Sequence, residues 1–381
     1  MDLRAMRLQM MKRVLFPPEV CVGKGSVERL ASLDPARVLV VTGSSAKRSG
    51  ALDRVLAQLK DATAREVLEL EGGEPRAASI AAAREKVAAF APQWIVAVGG
   101  GAVLDAAKFL WAQLEHPDLV FSGKAVPIGP LRGKARFIAI PTTAGSGSEA
   151  SQAAVLAADD GTKIPYVCPH WVPDIVILDP VLTVTLPRET TVATGFDALT
   201  HAVESAVSSL GNPFLRVMAA TSVGLVLRHL PVAAENPQDL VARAGMLEAA
   251  FLAGLCQSMT STGAAHALSH AASKLHGAPH GAATGFFLLP TMRWNRKKSA
   301  TVYDELAAGC GLADGAALEA ALLDLSGRVG LPQKFAELVG RVPDAAERQT
   351  LAETAAKDVC LRTNPCRLGT PDLAQLLAEI S

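Results

Sequence analysis

Apolar and polar positions along the chain fall into two regimes. Up to about residue 180, short β-branched runs alternate with stretches of helical spacing. Arg37 to Val41 reads as a strand that ends in a Thr-Gly-Ser-Ser loop, and Ala51 to Leu59 and Ala77 to Phe90 have helical spacing. Trp94 to Val98 has the continuous apolar character of a strand buried on both faces. Three glycines follow it, then a helix from Ala102 to about Leu114. Arg136 to Ile140 is another strand, running into Pro141 and a loop dense in Thr, Gly and Ser, and Ile175 to Leu178 closes the series. This alternation predicts a parallel sheet covered on both faces by helices.

After Asp179-Pro180 the pattern changes. From about Pro187 the chain reads as successive Ala- and Leu-rich helices, for example Thr191 to Ser208, Pro213 to His229 and Leu240 to Leu255. The expected fold is an α/β domain with a parallel sheet over residues 1–182, followed by an all-α domain over 183–381. A chain of 381 residues is long enough for two cores. There is no internal repeat and no low-complexity tract.

Composition narrows the function. Lys plus Arg and Asp plus Glu balance at 37 each, so nothing points to nucleic acid or an anionic membrane. The six cysteines show no metal-ligand spacing and read as free thiols of a reducing compartment. The basic, Met-rich start has no apolar core of signal-peptide length. Gly, Asp or Lys cut the most apolar stretches before the ~20 residues of a membrane span. A soluble cytoplasmic protein is the expectation.

Two loops carry candidate nucleotide chemistry. Gly99-Gly100-Gly101 lies between a strand and a helix, where glycine lets the backbone approach a pyrophosphate and the helix N-terminus stabilises its charge. The spacing is not GxGxxG, because Leu104 stands at the third glycine position. A tight turn packing helix on sheet would read the same way. Pro141 to Ser148 (PTTAGSGS) is a second such loop at a strand's C-terminal end, the edge at which open parallel sheets bind ligands.

The helical half carries metal-type chemistry. Asp197 and His201 lie four apart in GFDALTHAVES, and His266 and His270 four apart in AAHALSHAAS, so each pair shares a helix face. His280 follows Gly277 and Pro279, which break the helix and let the chain fold back. One carboxylate with several imidazoles suits Fe(II), Zn(II) or Co(II) and suits Ca(II) or Mg(II) poorly. Satisfied core histidines and a helix-surface pair are the bland alternative. His116, His170, His229 and His276 read as structural or surface residues.

With these motifs in order, the chain resembles the iron-containing (group III) alcohol dehydrogenases from about Phe16 to Leu377. The segments that carry the resemblance are VGKGSVERL (22–30), VLVVTGSS (38–45), GGGAVLDAAK (99–108), IPTTAGSGSE (140–149), DDGTK (159–163), ILDPVLTVTLP (177–187), GFDALTHAVES (195–205) and HALSH with HGAPHG (266–281). The resemblance implies a dinucleotide-binding α/β domain, a helical domain and an active site in the cleft between them. It implies metal ligands at Asp197, His201, His266 and His280, with Fe(II) or Zn(II) bound, and an additional active-site histidine at His270. It places the pyrophosphate loop at Gly99, Gly100, Gly101 and Ala102, with Asp105 behind it, and further nucleotide contacts at Thr142, Thr143, Ser146 and Lys163. A homodimer acting on a small alcohol or aldehyde is the family expectation.

Two departures matter. Ala102 replaces the family's usual serine, which removes a hydroxyl without damaging the backbone cradle. Gly43 stands where NAD-preferring relatives often carry an aspartate that accepts from the adenosine ribose and repels a 2′-phosphate. Gly43, Ser44 and Ser45, followed by Lys47 and Arg48, resemble members that prefer NADP(H) to NAD(H); the two cations also read as plain solvated charges. His270, one turn from His266, is the candidate proton relay during hydride transfer.

Rival chemistries fit less well. Neither tyrosine begins a YxxxK and no GxSxG occurs. A lyase like dehydroquinate synthase would bring basic residues to the histidine pairs, yet Arg293, Arg296, Lys297 and Lys298 come only further on. A maleylacetate-reductase-like enzyme, which needs no metal, is disfavoured by the complete ligand set, and so is a scaffold with a vestigial site. The polar Gln257-Ser258 and Ser261-Thr262 before the histidine helix hint at a substrate with a polar tail.

Overall fold

The computed structural model describes residues 14–34, 36–121, 128–158 and 161–380. The basic start and Asp159-Asp160 of the DDGTK segment lie outside the described residues.

Six strands form one parallel sheet: β1 (Glu19–Val22), β2 (Arg37–Gly43), β3 (Ala64–Leu70), β4 (Trp94–Gly99), β5 (Arg136–Pro141) and β8 (Ile175–Leu178). Their spatial order is β1-β8-β5-β4-β2-β3. Helices α1 (Ser44–Arg48), α2 (Ala51–Gln58), α3 (Ala77–Phe90) and α4 (Gly101–Glu115) lie along the same stretch of chain. Alternate strand residues serve the two faces. Leu39, Val41, Ile95, Ala97, Phe137 and Ala139 pack with residues of α3 and α4, whereas Val38, Val40, Val96, Val98, Ile138 and Ile140 pack with residues of α2. Because both faces are dry, the central strands are apolar throughout instead of alternating with polar residues.

The sheet also contains strands that the apolar pattern did not announce. β3 is AREVLEL, charged at Arg65, Glu66 and Glu69, and its strand character comes from full pairing with β2, Arg37 opposite Ala64 through Gly43 opposite Leu70. Edge strand β1 has only four residues, none fully buried. A separate antiparallel hairpin pairs the Ala-rich β6 (Ala153–Ala157) with β7 (Lys163–Val167), which carries Pro165. Pattern reading misses all four because pairing, and not burial on two faces, makes them strands.

The remainder is helical: α5 (Arg188–Val207), α6 (Pro213–Glu235), α7 (Leu240–Thr260), α8 (Ala264–His276), α9 (His280–Gly309), α10 (Gly315–Val329), α11 (Phe335–Val339), α12 (Ala345–Ala355) and α13 (Thr370–Glu379). Contrary to the reading of interrupted apolar stretches, α6 and α7 are long and apolar enough to cross a membrane. Their apolar residues are instead spent on each other and on α5: Ala202 and Val203 of α5 join Val223, Val226 and Leu230 of α6 and Leu247 and Ala250 of α7 in one core.

A backbone contact joins the sheet to this bundle. Gly147, at φ +63° in the loop after β5, faces Gly254 of α7, and a Cβ on Gly147 would lie 2.3 Å from the Gly254 Cα. Only glycine on both sides permits that approach.

Candidate metal and nucleotide site

The four candidate ligands come from three helices. Asp197 and His201 lie one turn apart on α5, and His266 lies in the first turn of α8. At the end of α8, Gly277 turns left-handed (φ +69°) and Pro279 precedes α9, whose first residue is His280. That reversal returns His280 to the cluster, with its Nε2 3.6 Å from Asp197 Oδ1. From the same oxygen, His266 Nε2 lies at 3.5 Å and His201 Nδ1 at 4.0 Å.

These separations exceed a direct hydrogen bond. They are close to the roughly 3.3–3.4 Å edge of a tetrahedron whose ligand bonds are about 2.0–2.1 Å. Asp197 Oδ1, His201 Nδ1 and His266 Nε2 are moreover buried with no hydrogen-bond partner, a costly state for a protein interior unless something else satisfies them. The donor chemistry and the orphaned atoms fit one divalent transition metal.

Charge follows the same geometry. Burial disfavours the Asp197 carboxylate, but the imidazoles of His201, His266 and His280 outweigh it and hold this carboxyl far below its ordinary range. Burial pushes His201 down to about 4, keeping the ring neutral. Burial opposes charge on His266 too, yet Glu204 and Asp197 overcome it and raise that ring to about 9.

Behind these donors stands a supporting set that sequence reading missed. Glu204 Oε2 takes a hydrogen bond from His266 Nδ1 at 2.6 Å, and the same carboxylate accepts the amides of Gly263 and Ala265 at 2.7 Å each. Such a carboxylate fixes tautomer and ring orientation. Its signal was available, since 197, 201 and 204 continue one helix face. Ser269 Oγ lies 3.0 Å from His280 Nδ1 and receives the Thr284 hydroxyl. His270 stacks on His280 with ring centroids 5.3 Å apart, and its Nδ1 meets Asp358 Oδ2 at 2.8 Å. Asp358 lies 88 residues further along the chain, and no local pattern announces it.

The nucleotide candidates gather on one sheet edge, because β2, β4 and β5 are neighbours and their C-terminal ends lie side by side. Gly43 ends β2, with Ser44 and Ser45 opening α1; Gly99 ends β4; Gly101 and Ala102 open α4; Thr142, Thr143 and Ser146 follow β5. The two loops touch: a Cβ on Gly101 would lie 2.4 Å from Ser146 Oγ, and one on Gly100 3.5 Å from Thr143 Oγ1. Close approach, rather than unusual φ, requires Gly101 and also Gly99, whose Cβ would lie 2.7 Å from Val103, whereas the Gly100 contact is an ordinary one. Lys163 pairs with Glu74 at 2.6 Å and acts electrostatically on His280, so the β6–β7 hairpin borders the metal cluster. Gly145 presses on Thr194, one turn before Asp197. Asp105 behaves differently. Its carboxylate is buried, accepting the Ser148 hydroxyl and, at 2.8 Å, the Val155 amide, and burial raises it to about 6.

A parallel-sheet edge of glycine and hydroxyl loops beside a buried Asp/His donor cluster suits an enzyme that brings a nucleotide to a metal. Residues 17–180 match the iron-containing alcohol dehydrogenase family, and residues 191–381 match the Fe-containing alcohol dehydrogenase C-terminal family. The chain belongs to the iron-containing alcohol dehydrogenase family. It is 32% identical to the NADPH-dependent butanol dehydrogenase of Clostridium saccharobutylicum, covering 96% of this chain and 97% of that one. It superposes on the iron-containing alcohol dehydrogenase of Thermococcus thioreducens with a TM-score of 0.88 at 32% identity, covering 97% of this chain and 99% of that chain. Sulfoacetaldehyde reductase from Bifidobacterium kashiwanohense, solved with NAD+, gives 0.87 at 28% identity, again covering 97% and 99%.

Proposed function

We propose that this enzyme interconverts a small aldehyde and its alcohol with NADP(H) in preference to NAD(H). The observation that carries the reading is the set of three buried, unpartnered donor atoms at Asp197, His201 and His266, completed by His280. These four residues hold one divalent metal, iron(II) or, second, zinc(II). When bound, the metal supplies Lewis acidity toward the substrate oxygen and the nicotinamide supplies the hydride.

The chain's own residues do the rest. Glu204 and Ser269 hold the rings of His266 and His280 toward Asp197. His270 exchanges the substrate proton through Nε2, while Asp358 keeps Nδ1 engaged and the ring in place. The amides of Gly99 to Ala102, with Thr142, Thr143, Ser146 and Lys163, bind the dinucleotide. Asp105 acts behind this surface, holding the loop after β5 through Ser148.

The NADP preference rests on Gly43, Ser44 and Ser45, which leave room for a 2′-phosphate. Of the two nearby cations, Lys47 pairs with Glu69 at 2.9 Å, whereas Arg48 lies over the Ser45 hydroxyl at 3.4 Å. Arg48 is therefore the better phosphate partner, and the NADPH-dependent butanol dehydrogenase relative points the same way. The enzyme is further proposed to be cytoplasmic and homodimeric, with its two domains meeting near residues 182–183.

The test is NADPH and NADH oxidation with short aldehydes, comparing chelator-stripped enzyme with enzyme reloaded anaerobically with Fe(II) or Zn(II). Metal-restored activity faster with NADPH is the expected result. NADH preference would remove the cofactor assignment but keep the reaction. Full activity without metal would sink the ligand assignment.

A further inference from the structure

Arg243 is an anomaly of the helical half. It lies in the first turn of α7 and is only 2% exposed. Its Nε donates to the Pro237 carbonyl at 3.0 Å and its Nη1 to Thr191 Oγ1 at 2.8 Å, while Nη2 has no partner. Burial alone acts on its ionisation, lowering it, with no acidic neighbour contributing. Buried guanidinium groups are ordinarily paired with a carboxylate, because an uncompensated charge in a protein interior is strongly unfavourable.

The guanidinium borders a cavity of about 10 Å³, walled by Ala144, Leu186 and Met246 and by Thr183, Thr191 and Thr194. That volume is at the lower limit for one water-sized particle and leaves no room for a polyatomic one. The Thr183 and Thr194 hydroxyls donate elsewhere, to the carbonyls of Pro180 and Thr190. Thr191 Oγ1 receives Arg243, which leaves the hydroxyl proton of Thr191 available to the cavity. Arg243 and Thr191 also sit in the first turns of α7 and α5, whose ends already carry Asp239 as cap and Glu189, so the unpartnered side-chain groups, and not the helix ends, mark the cavity. Cation, free N–H and free O–H favour the same occupant.

We propose that this cavity is a buried site for a single monatomic anion of chloride's class, held by Arg243 Nη2 and the Thr191 hydroxyl. The anion supplies the counter-charge that Arg243 lacks. It also ties Ala144, in the loop that follows β5, to α5 and α7, so its effect falls on the stability of the folded chain. The site does not depend on the proposed reaction.

Two measurements on the full-length protein test this. The first is the thermal midpoint in sodium chloride against sodium gluconate at fixed ionic strength. The second is anomalous diffraction from crystals soaked in bromide. The expected results are a saturable rise of about 3 °C with chloride and a bromide peak beside Arg243. Arg243→Met and Thr191→Val should each abolish the rise. If Arg243→Met does not fold, Thr191→Val and the bromide map of the unchanged protein carry the test. A cavity holding only water overturns the proposal whatever the midpoint does, and so does a midpoint indifferent to chloride.

Discussion

The sheet edge and the helical cluster solve their tasks with different parts of the chain. At the edge, the candidate nucleotide surface is largely backbone: glycines that meet Thr143 and close-pack against Ser146 and Val103. Most of its charged side chains are already engaged, Asp105 with Ser148 and Val155, Lys47 with Glu69, Lys163 with Glu74, while Arg48 meets only the Ser45 hydroxyl. In the helical half the reverse holds. Side-chain donors converge with their functional atoms unpartnered, while carboxylates behind them, Glu204 and Asp358, hold the rings. A backbone surface tolerates changes of side chain but not added atoms. A side-chain cluster tolerates neither loss of a donor nor loss of its support.

The largest break in that comparison should come from removing a donor. His266→Ala is expected to lose bound metal and at least about 10³-fold in activity together, read by metal analysis and turnover on the same sample. Retained metal would show that His266 is not a ligand.

Next in size is a stability effect behind the edge. Glu149 is buried with Oε1 unpartnered, and burial raises it to about 7 from an ordinary 4.5. Between those values the folded chain keeps a proton that the unfolded chain has released, so stability falls as pH rises. Glu149→Gln should remove up to roughly 3 kcal/mol of that loss, so the variant gains on the parent from about pH 5 to pH 8. Parallel curves in denaturant titrations at the two pH values would contradict it.

Adding atoms to the backbone surface should be smaller and separable from the metal. Gly101→Val pushes a side chain into Ser146, and about a 10²-fold loss of NADPH affinity is expected with metal content unchanged. Loss of metal as well would mean that the two regions are not independent.

The smallest effect concerns support rather than contact. Asp358→Asn leaves the donors in place but weakens the hold on His270, and about tenfold lower kcat is expected with KM and metal little changed. Asp358→Glu should restore part of the loss. An unchanged kcat would make the His270–Asp358 pair a structural contact only.

Much of this arrangement was legible locally. Continuous apolar runs marked β2 and β4, which end in glycine, and β5 and β8, which end at Pro141 and Asp179, since strands buried on both faces need no polar alternation. The i,i+4 pairs 197/201 and 266/270 marked two faces of two helices, because helix periodicity is a local property. Gly277 and Pro279 marked the turn, for one adopts positive φ and the other cannot continue a helix.

Tertiary structure decided what those pieces meet. Nothing local pairs β3 with β2, sets Gly147 against Gly254, turns Asp105 inward to Ser148, or carries Asp358 back to His270 across 88 residues. The amphipathic pattern likewise could not say that α6 and α7, apolar enough for a membrane, would spend that apolarity on each other and on α5. Periodicity and backbone preference act over a few residues, so sequence determined the elements and the faces that carry chemistry. Hydrogen bonds, counter-charges and close packing depend on which surfaces share a volume, and only the folded chain settles that.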